Sequence, residues 1–138
     1  MTVLFDTCVL IDSLQDRKPF SEDSNRLLIA VAREEIKGYI SAKSVADIYY
    51  LMHKTTHSDE KTRDILSKIF SLFHISDVTA SDCLGALTSE ISDYEDAILA
   101  ESAARAKFDC IVTRNAPDFK KSSVKTVSPA ELVGIITA

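Results

Sequence analysis

The chain of 138 residues contains only three glycines and three cysteines, and both shortages exclude classes of function. With so few glycines there is no G-x-x-x-x-G-K-S/T or G-x-G-x-x-G segment, so the sequence has no glycine-rich loop for nucleotide phosphates. The cysteines are odd in number, far apart and set among apolar neighbours, which excludes a disulfide framework and the common zinc clusters. We interpret them as buried free thiols in a reducing compartment.

Long apolar runs and an excess of basic residues are also missing. No apolar run approaches the roughly 20 residues that a membrane-spanning helix needs. The first residues lack the basic region, apolar stretch and cleavage site of a secretory signal, so we expect a cytoplasmic protein with no membrane association. The net charge of −5 is unusual for a protein that binds nucleic acid. That objection weakens if several carboxylates share a divalent cation that neutralises them.

The chain alternates short apolar runs with longer segments of helical periodicity. The apolar runs predict strands at residues 2–5, 39–41, 75–78, 110–113 and 124–127. Helices are predicted at residues 8–14, 21–37, around 45–52, at 58–73, from 79, at 92–106 and from 128. Gly38 is predicted to end the second of these helices, and Ser92-x-x-Glu95 is predicted to begin the sixth as a capping box.

This alternation predicts an α/β fold in a single domain spanning residues 1–138. Strands of about four residues with helices between them favour a three-layer α/β/α sandwich around a parallel sheet of four or five strands. In such sheets, ligands bind at the carboxyl ends of the strands. The polar residues at those ends are therefore the candidates for a functional site.

Six polar side chains are predicted at strand ends or in the first turns of the following helices. They are Asp6, Asp47, Asp93, Asp96, Asn115 and Asp118. An aspartate in a first helical turn also stabilises the helix dipole, so no single one is diagnostic. Their convergence is informative, because two carboxylates about 5 Å apart repel by roughly 3 kcal/mol at an effective dielectric constant near 20. Such a cluster favours Mg²⁺ or Mn²⁺ and predicts metal-assisted phosphodiester hydrolysis.

Four segments resemble, in order and spacing, the acidic motifs of the PIN-domain family. They are VLFDTCVLID at residues 3–12, SVADIYY at 44–50, DYEDA at 93–97 and IVTRNAPDF at 111–119, with VSPAE at 127–131 similar to the last strand and helix of the family. The resemblance implies a PIN-like sandwich that holds one or two Mg²⁺ or Mn²⁺ ions and cleaves RNA. It further implies the toxin of a toxin–antitoxin pair, with an antitoxin protein as partner, and a homodimer.

The same resemblance assigns roles to individual residues. Asp6 matches the first acid and Asp96 the third, so both are expected to hold the metal directly. Asp47 stands where the second acid is commonly Glu, and Asp118 substitutes for the fourth acid because Asn115 occupies its position. The residues expected to orient ligands or water are Thr7, Asp93, Thr113 and Asn115. Cys8 replaces an amide side chain often found two residues after the first acid.

Substrate binding requires positive charge near these acids. Basic residues close to the predicted strand ends are candidates to bind RNA phosphates; they are Arg17, Lys18, Lys43, Arg114, Lys120 and Lys121. Three tyrosines are candidates to stack on bases, namely Tyr49, Tyr50 and Tyr94.

Two other interpretations of the acidic residues stay open at this point. In a phosphoryl-aspartate protein Asp6 would be the nucleophile. A dehalogenase-like site, however, requires an aspartate at the position of Cys8, and a receiver-like site requires a lysine after the last strand, whereas Lys125 precedes or begins that strand. Alternatively, the chain is a non-catalytic PIN-like module that binds RNA or protein. Asp47 in place of Glu, and Asn115 in place of Asp, favour that alternative.

Overall fold

A computed structural model describes all residues from 1 to 138. Five parallel strands form one sheet in the order β3-β2-β1-β4-β5. The strands are β1 (Thr2–Phe5), β2 (Lys37–Ser41), β3 (His74–Ser76), β4 (Cys110–Val112) and β5 (Thr126–Val127). The helices are α1 (Thr7–Leu14), α2 (Ser21–Ala32), α3 (Ala42–Thr56), α4 (Asp59–Leu72), α5 (Ala80–Ala86), α6 (Tyr94–Ala106) and α7 (Pro129–Thr137), with a 3₁₀ turn at Ala116–Phe119. None of these helices has the length and apolar character needed to span a membrane.

The sheet is covered by helices on both faces. Successive side chains of a strand point to opposite faces, so Val3 and Phe5 enter one core and Leu4 enters the other. The first core is completed by α1 to α4 and α7, and the second by α5, α6 and the 3₁₀ turn. The predicted three-layer fold with a parallel sheet of four or five strands is confirmed, and the sheet has five.

The predicted end of the second helix is wrong. Helix α2 stops at Ala32, Glu34 takes the left-handed conformation with φ of 59°, and Gly38 lies inside β2. Residues 37–40 pair in parallel with β1, which places Gly38 beside Val3. This long-range pairing overrides the helical periodicity of the sequence. Gly38 is needed for space, since an added Cβ would lie 2.7 Å from two ring carbons of Phe73.

The order of the strands reverses between β1 and β4. From β1 the chain proceeds through β2 to β3 at one edge, then returns to β4 beside β1 and ends at β5 on the other edge. A crevice forms at such a reversal, beyond the carboxyl ends of the two strands. The residues directly after β1 and β4 are Asp6 and Thr113, so the fold brings them to the same crevice.

The substitution Gly38→Ala tests the packing of β2. The new methyl group would overlap the buried Phe73 ring and lie 3.0 Å from Val31 Cγ2, and overpacking of this kind costs about 1–3 kcal/mol. We expect that loss in the free energy of unfolding measured with urea. Gly134→Ala is the matched control, because nothing lies within 4 Å of its added Cβ in helix α7; we expect a gain of about 0.5–1 kcal/mol. Equal effects at the two positions would contradict this account of β2.

Candidate active site

Asp6 is held in one orientation at the end of β1. Its backbone N–H donates to the Val112 carbonyl at 3.0 Å, which joins the end of β1 to β4. Its Oδ1 accepts from the Thr7 N–H at 2.8 Å as the N-cap of α1. Its Oδ2 accepts from the Thr113 hydroxyl at 2.7 Å. Because Thr113 is fully buried, the carboxylate is fixed across the crevice between the two strands.

Asp96 reaches the same crevice from the first turn of α6. The predicted capping box at Ser92 is wrong, since the helix begins one residue later with Asp93 as its N-cap. Asp93 Oδ1 accepts from the Asp96 N–H at 2.9 Å. The Tyr94 hydroxyl donates to the Cys83 carbonyl at 2.8 Å, which ties the first turn of α6 to α5 and fixes this register.

Negative charge accumulates around Asp96. Burial and, in decreasing order, the neighbouring Asp93, Asp6 and Asp118 carboxylates together raise the pKa of its carboxyl group to about 6, against the lowering effect of Lys43. Lys43 also pairs with Glu95 at 3.7 Å from Nζ to Oε2. The crevice therefore contains more carboxylate charge than its one nearby ammonium group neutralises.

A cleft of about 520 Å³ opens over these acids. The predicted site residues among its lining are Asp6, Thr7, Arg17, Lys43, Asp47, Tyr50, Asp96 and Asn115. Asp47 is exposed on α3, and the buried Thr113 bonds to Asp6 from beneath the cleft. Asp93 and Asp118 do not line the cleft, but their charges raise the pKa of Asp96. Lys18 and Lys120 are exposed but do not line it, and Lys121 pairs with Glu90 at 3.6 Å. The fold thus places four of the six predicted polar residues along one cleft and the other two near Asp96, but it brings only part of the predicted basic set there.

The structure separates the three tyrosines that sequence reasoning treated alike. The Tyr49 hydroxyl donates to Asp59 at 2.5 Å and the Tyr94 hydroxyl to Cys83, so both join neighbouring elements. Tyr50 is 66% exposed and lines the cleft. It follows Asp47 by three residues on α3, a spacing that places both side chains on one helix face. That spacing is a signal in the sequence that could have singled out Tyr50.

Sequence reasoning did not assign Glu95 or Asp12 to the site. Because Asp93 caps α6, Glu95 is the second residue of that helix, and its carboxylate pairs with Lys43. Asp12 lies fully buried on α1 and pairs with Arg114, 102 residues further along the chain. Burial raises the pKa of Asp12, although the Arg114 guanidinium acts to lower it. Arg114 was predicted to bind RNA phosphate, but its charge is already engaged by a carboxylate.

The donor set fits a hard divalent cation. Aspartate oxygens in a partly open cleft are the ligands preferred by Mg²⁺ and Mn²⁺. Burial and three neighbouring carboxylates raise the pKa of Asp96, and a cation there would stabilise its ionised form. No three carboxylate, thiol or imidazole groups lie close enough together to form a complete ligand set without rearrangement. The residue types therefore fit such a cation, and Asp6 and Asp96 are the two carboxylates that line the cleft from the end of β1 and from α6.

Comparison with known proteins identifies the family. A family model described as the PIN domain matches residues 2–116, so the chain belongs to the PIN-domain family, and the resemblance seen in the sequence is confirmed. Members of this family are generally nucleases. No curated protein matches the sequence.

Solved structures share the fold over nearly the whole chain. One similar chain comes from a structure of VapBC2 from Rickettsia felis bound to a DNA fragment from their promoter. Its TM-score is 0.70 at 18% identity, and the match covers 93% of the chain described here and 98% of the VapBC2 chain. A chain of a toxin–antitoxin complex from Klebsiella pneumoniae has a TM-score of 0.67 at 25% identity, with coverages of 92% and 97%. A chain of FitAcB from Neisseria gonorrhoeae has a TM-score of 0.64 at 20% identity, with coverages of 93% and 98%.

The substitution Asp96→Asn tests the accumulation of charge. Above pH 6 the Asp96 carboxylate is ionised, and in the folded state it is partly buried and repelled by its neighbours, whereas in the unfolded state it is solvated. Asp96→Asn removes the cost of burying this charge and the repulsion, so in EDTA we expect the variant to be more stable than the wild type by about 1–2 kcal/mol. The advantage should shrink between pH 6 and pH 4, because folded wild type takes up the proton there. Thermal unfolding at a series of pH values measures this.

Asp64→Asn is the control for that comparison. Asp64 is exposed on α4, pairs with Lys68 at 3.1 Å and does not line the acidic cleft. Its replacement should give no gain in stability near pH 7. If Asp96→Asn were no more stable than Asp64→Asn at neutral pH, burial and the neighbouring carboxylates would not be destabilising the Asp96 charge in the folded protein.

Proposed function

We propose that this chain is a Mg²⁺- or Mn²⁺-dependent endoribonuclease that hydrolyses RNA phosphodiester bonds, and that it acts as the toxin of a toxin–antitoxin pair. The observation that carries this proposal is the group of aspartates around Asp6 and Asp96 at the reversal of strand order, where one lysine faces several carboxylates. Membership of the PIN-domain family, whose members are generally nucleases, supports it.

The metal would be held by Asp6 and Asp96 directly, with Asp47 and Asp118 completing the site in part through water. When bound there, a divalent ion supplies a more acidic water and a positive charge for the phosphate oxygens. Both functions suit hydrolysis of a phosphodiester in a chain that has no histidine or nucleophilic serine in the cleft.

The residues of the chain itself position these groups. Thr7 and Thr113 hold the two oxygens of Asp6, and Asp93 holds the first turn of α6, so that Asp96 faces Asp6. Asn115 also lines the cleft and would orient water or substrate.

Lys43 and Arg17 give the cleft its positive charge, and they would bind the RNA phosphates on either side of the scissile bond. Tyr50 presents an exposed ring beside the acids and would stack on an unpaired base. The cleft therefore suits single-stranded RNA better than a duplex, whose bases are not free to stack.

An antitoxin partner is supported by the neighbouring structures. The similar chain from K. pneumoniae comes from a toxin–antitoxin complex. A protein that covers the cleft would neutralise its charge and exclude substrate. The homodimer stays a prediction from the resemblance alone.

RNA cleavage by the purified protein tests the proposal. A mixed RNA pool should be cut with Mn²⁺ or Mg²⁺ and left intact with EDTA. The variant Asp6→Asn/Asp96→Asn should lose at least about 100-fold in rate, since loss of even the partners that orient metal ligands costs about 10- to 100-fold. Asp64→Asn should cut as the wild type does, and thermal unfolding should show that all three proteins are folded.

The opposite result has a clear meaning. If the wild type neither cuts RNA nor gains thermal stability from either metal, the nuclease proposal fails. The non-catalytic module that binds RNA or protein would then be the better account.

A further inference from the structure

Arg114 is bound on two sides by other parts of the chain. Its Nε lies 2.6 Å from Asp12 Oδ2, too far out of line for a hydrogen bond but a close ion pair, and its second guanidinium nitrogen donates to Asp12 Oδ1 at 3.3 Å. The guanidinium carbon lies 4.1 Å from the centre of the Phe20 ring, a distance typical of a cation–π contact. We call these three residues the Asp12–Arg114–Phe20 clamp.

The clamp leaves Arg114 poorly available to RNA. Its side chain is 27% exposed, its carboxylate partner is fully buried, and it does not line the acidic cleft. A phosphate could replace the Asp12 carboxylate only by leaving that carboxylate unpaired in the core, which is strongly unfavourable. Arg17 and Lys43 carry no such constraint and line the cleft.

The position of Arg114 in the chain explains what the clamp does. It lies between Thr113, whose hydroxyl donates to Asp6, and Asn115, whose N–H donates to that same hydroxyl at 3.0 Å. The Asn115 carbonyl then accepts from the Asp118 N–H at 2.9 Å. The loop of residues 113–118 thus carries several site groups, and the clamp attaches it to α1, the helix that Asp6 caps.

A second buried ion pair provides a comparison. Arg105 pairs with the buried Asp82 at 3.0 Å, and that carboxylate completes the cap of α5. Neither residue lines the cleft. Asp82–Arg105 therefore serves the packing of α5 against α6, whereas Asp12–Arg114 joins two segments that both carry site residues.

We propose that Arg114 is a positioning residue: through Asp12 and Phe20 it holds the loop of residues 113–118 against α1 and the start of α2, so that Asp6, Thr113 and Asp118 keep the arrangement that binds the metal. This inference rests on the proposed metal-dependent nuclease function. It replaces the role in RNA binding that the sequence suggested for Arg114.

Four variants test the proposal. Arg114→Met removes the clamp, and Asp12→Asn/Arg114→Met also removes the buried charge left behind. Arg105→Met breaks the comparison pair, and Arg114→Lys keeps only the positive charge. Stability is measured by urea unfolding, Mn²⁺ affinity by calorimetry, and kcat and KM with Mn²⁺. RNA binding is measured in EDTA at several salt concentrations.

A positioning role predicts a specific pattern. Arg114→Met should lower kcat by about 100-fold and Mn²⁺ affinity by about 10-fold or more, with KM and the salt dependence of RNA binding unchanged. The double variant should recover stability but neither kcat nor Mn²⁺ affinity. Arg105→Met should lose stability and keep both. Arg114→Lys, which keeps the charge without the planar fork, should fall between Arg114→Met and the wild type.

Other patterns would overturn it. A rise in KM with kcat unchanged, and a salt slope for RNA binding reduced by about one, would make Arg114 a phosphate-binding residue. Recovery of kcat and Mn²⁺ affinity in the double variant would show that the clamp only stabilises the fold and does not position the site. If the wild type cuts no RNA but binds Mn²⁺, the affinities still decide the question, because only the Arg114 variants should weaken binding. If it does neither, both proposals fall together.

Discussion

Strand β1 is the element on which the rest of the structure depends. It lies at the centre of the sheet, pairs with β2 on one side and β4 on the other, and its Val3, Leu4 and Phe5 side chains are fully buried. Because both neighbours are parallel to it and the strand order reverses beside it, the first residue after β1 must enter the crevice of the sheet. That residue is Asp6. The same pairing that builds the core therefore places a carboxylate at the point where the fold favours a ligand.

The carboxylates in this crevice act against the stability of the fold. Burial and three neighbouring acids raise the pKa of Asp96 to about 6, so the folded protein concentrates charge that the unfolded chain disperses. Strongly shifted groups of this kind gather at functional sites, where binding of an opposite charge offsets the cost. The hydrogen bonds from Thr7 and Thr113 prevent Asp6 from turning away from its neighbours. Rigid support beneath repelling acids is what a cation site in a partly open cleft requires.

Much of the fold and the convergence of the acids could be predicted from the sequence, because both follow from short-range patterns. Apolar runs marked the strands, and a carboxylate directly after a buried run predicted a residue at the carboxyl edge of the sheet. The errors arose where contacts between distant parts of the chain determine where a helix begins or ends. The pairing of Lys37 with Thr2 ended α2 early, and the contact of Tyr94 with Cys83 selected Asp93 over Ser92 as the cap. The ion pair of Asp12 with Arg114 joins residues 102 positions apart, and no local pattern records it.

The central claim is that Asp6 and Asp96 bind a divalent cation at the reversal of strand order. Anomalous X-ray diffraction from crystals grown with Mn²⁺ tests it most directly, since it locates the metal without requiring activity. The account predicts an anomalous peak between the carboxylates of Asp6 and Asp96, and none in crystals of the variant Asp6→Asn/Asp96→Asn. A wild-type crystal with Mn²⁺ bound elsewhere, or with no peak in this crevice, would contradict it.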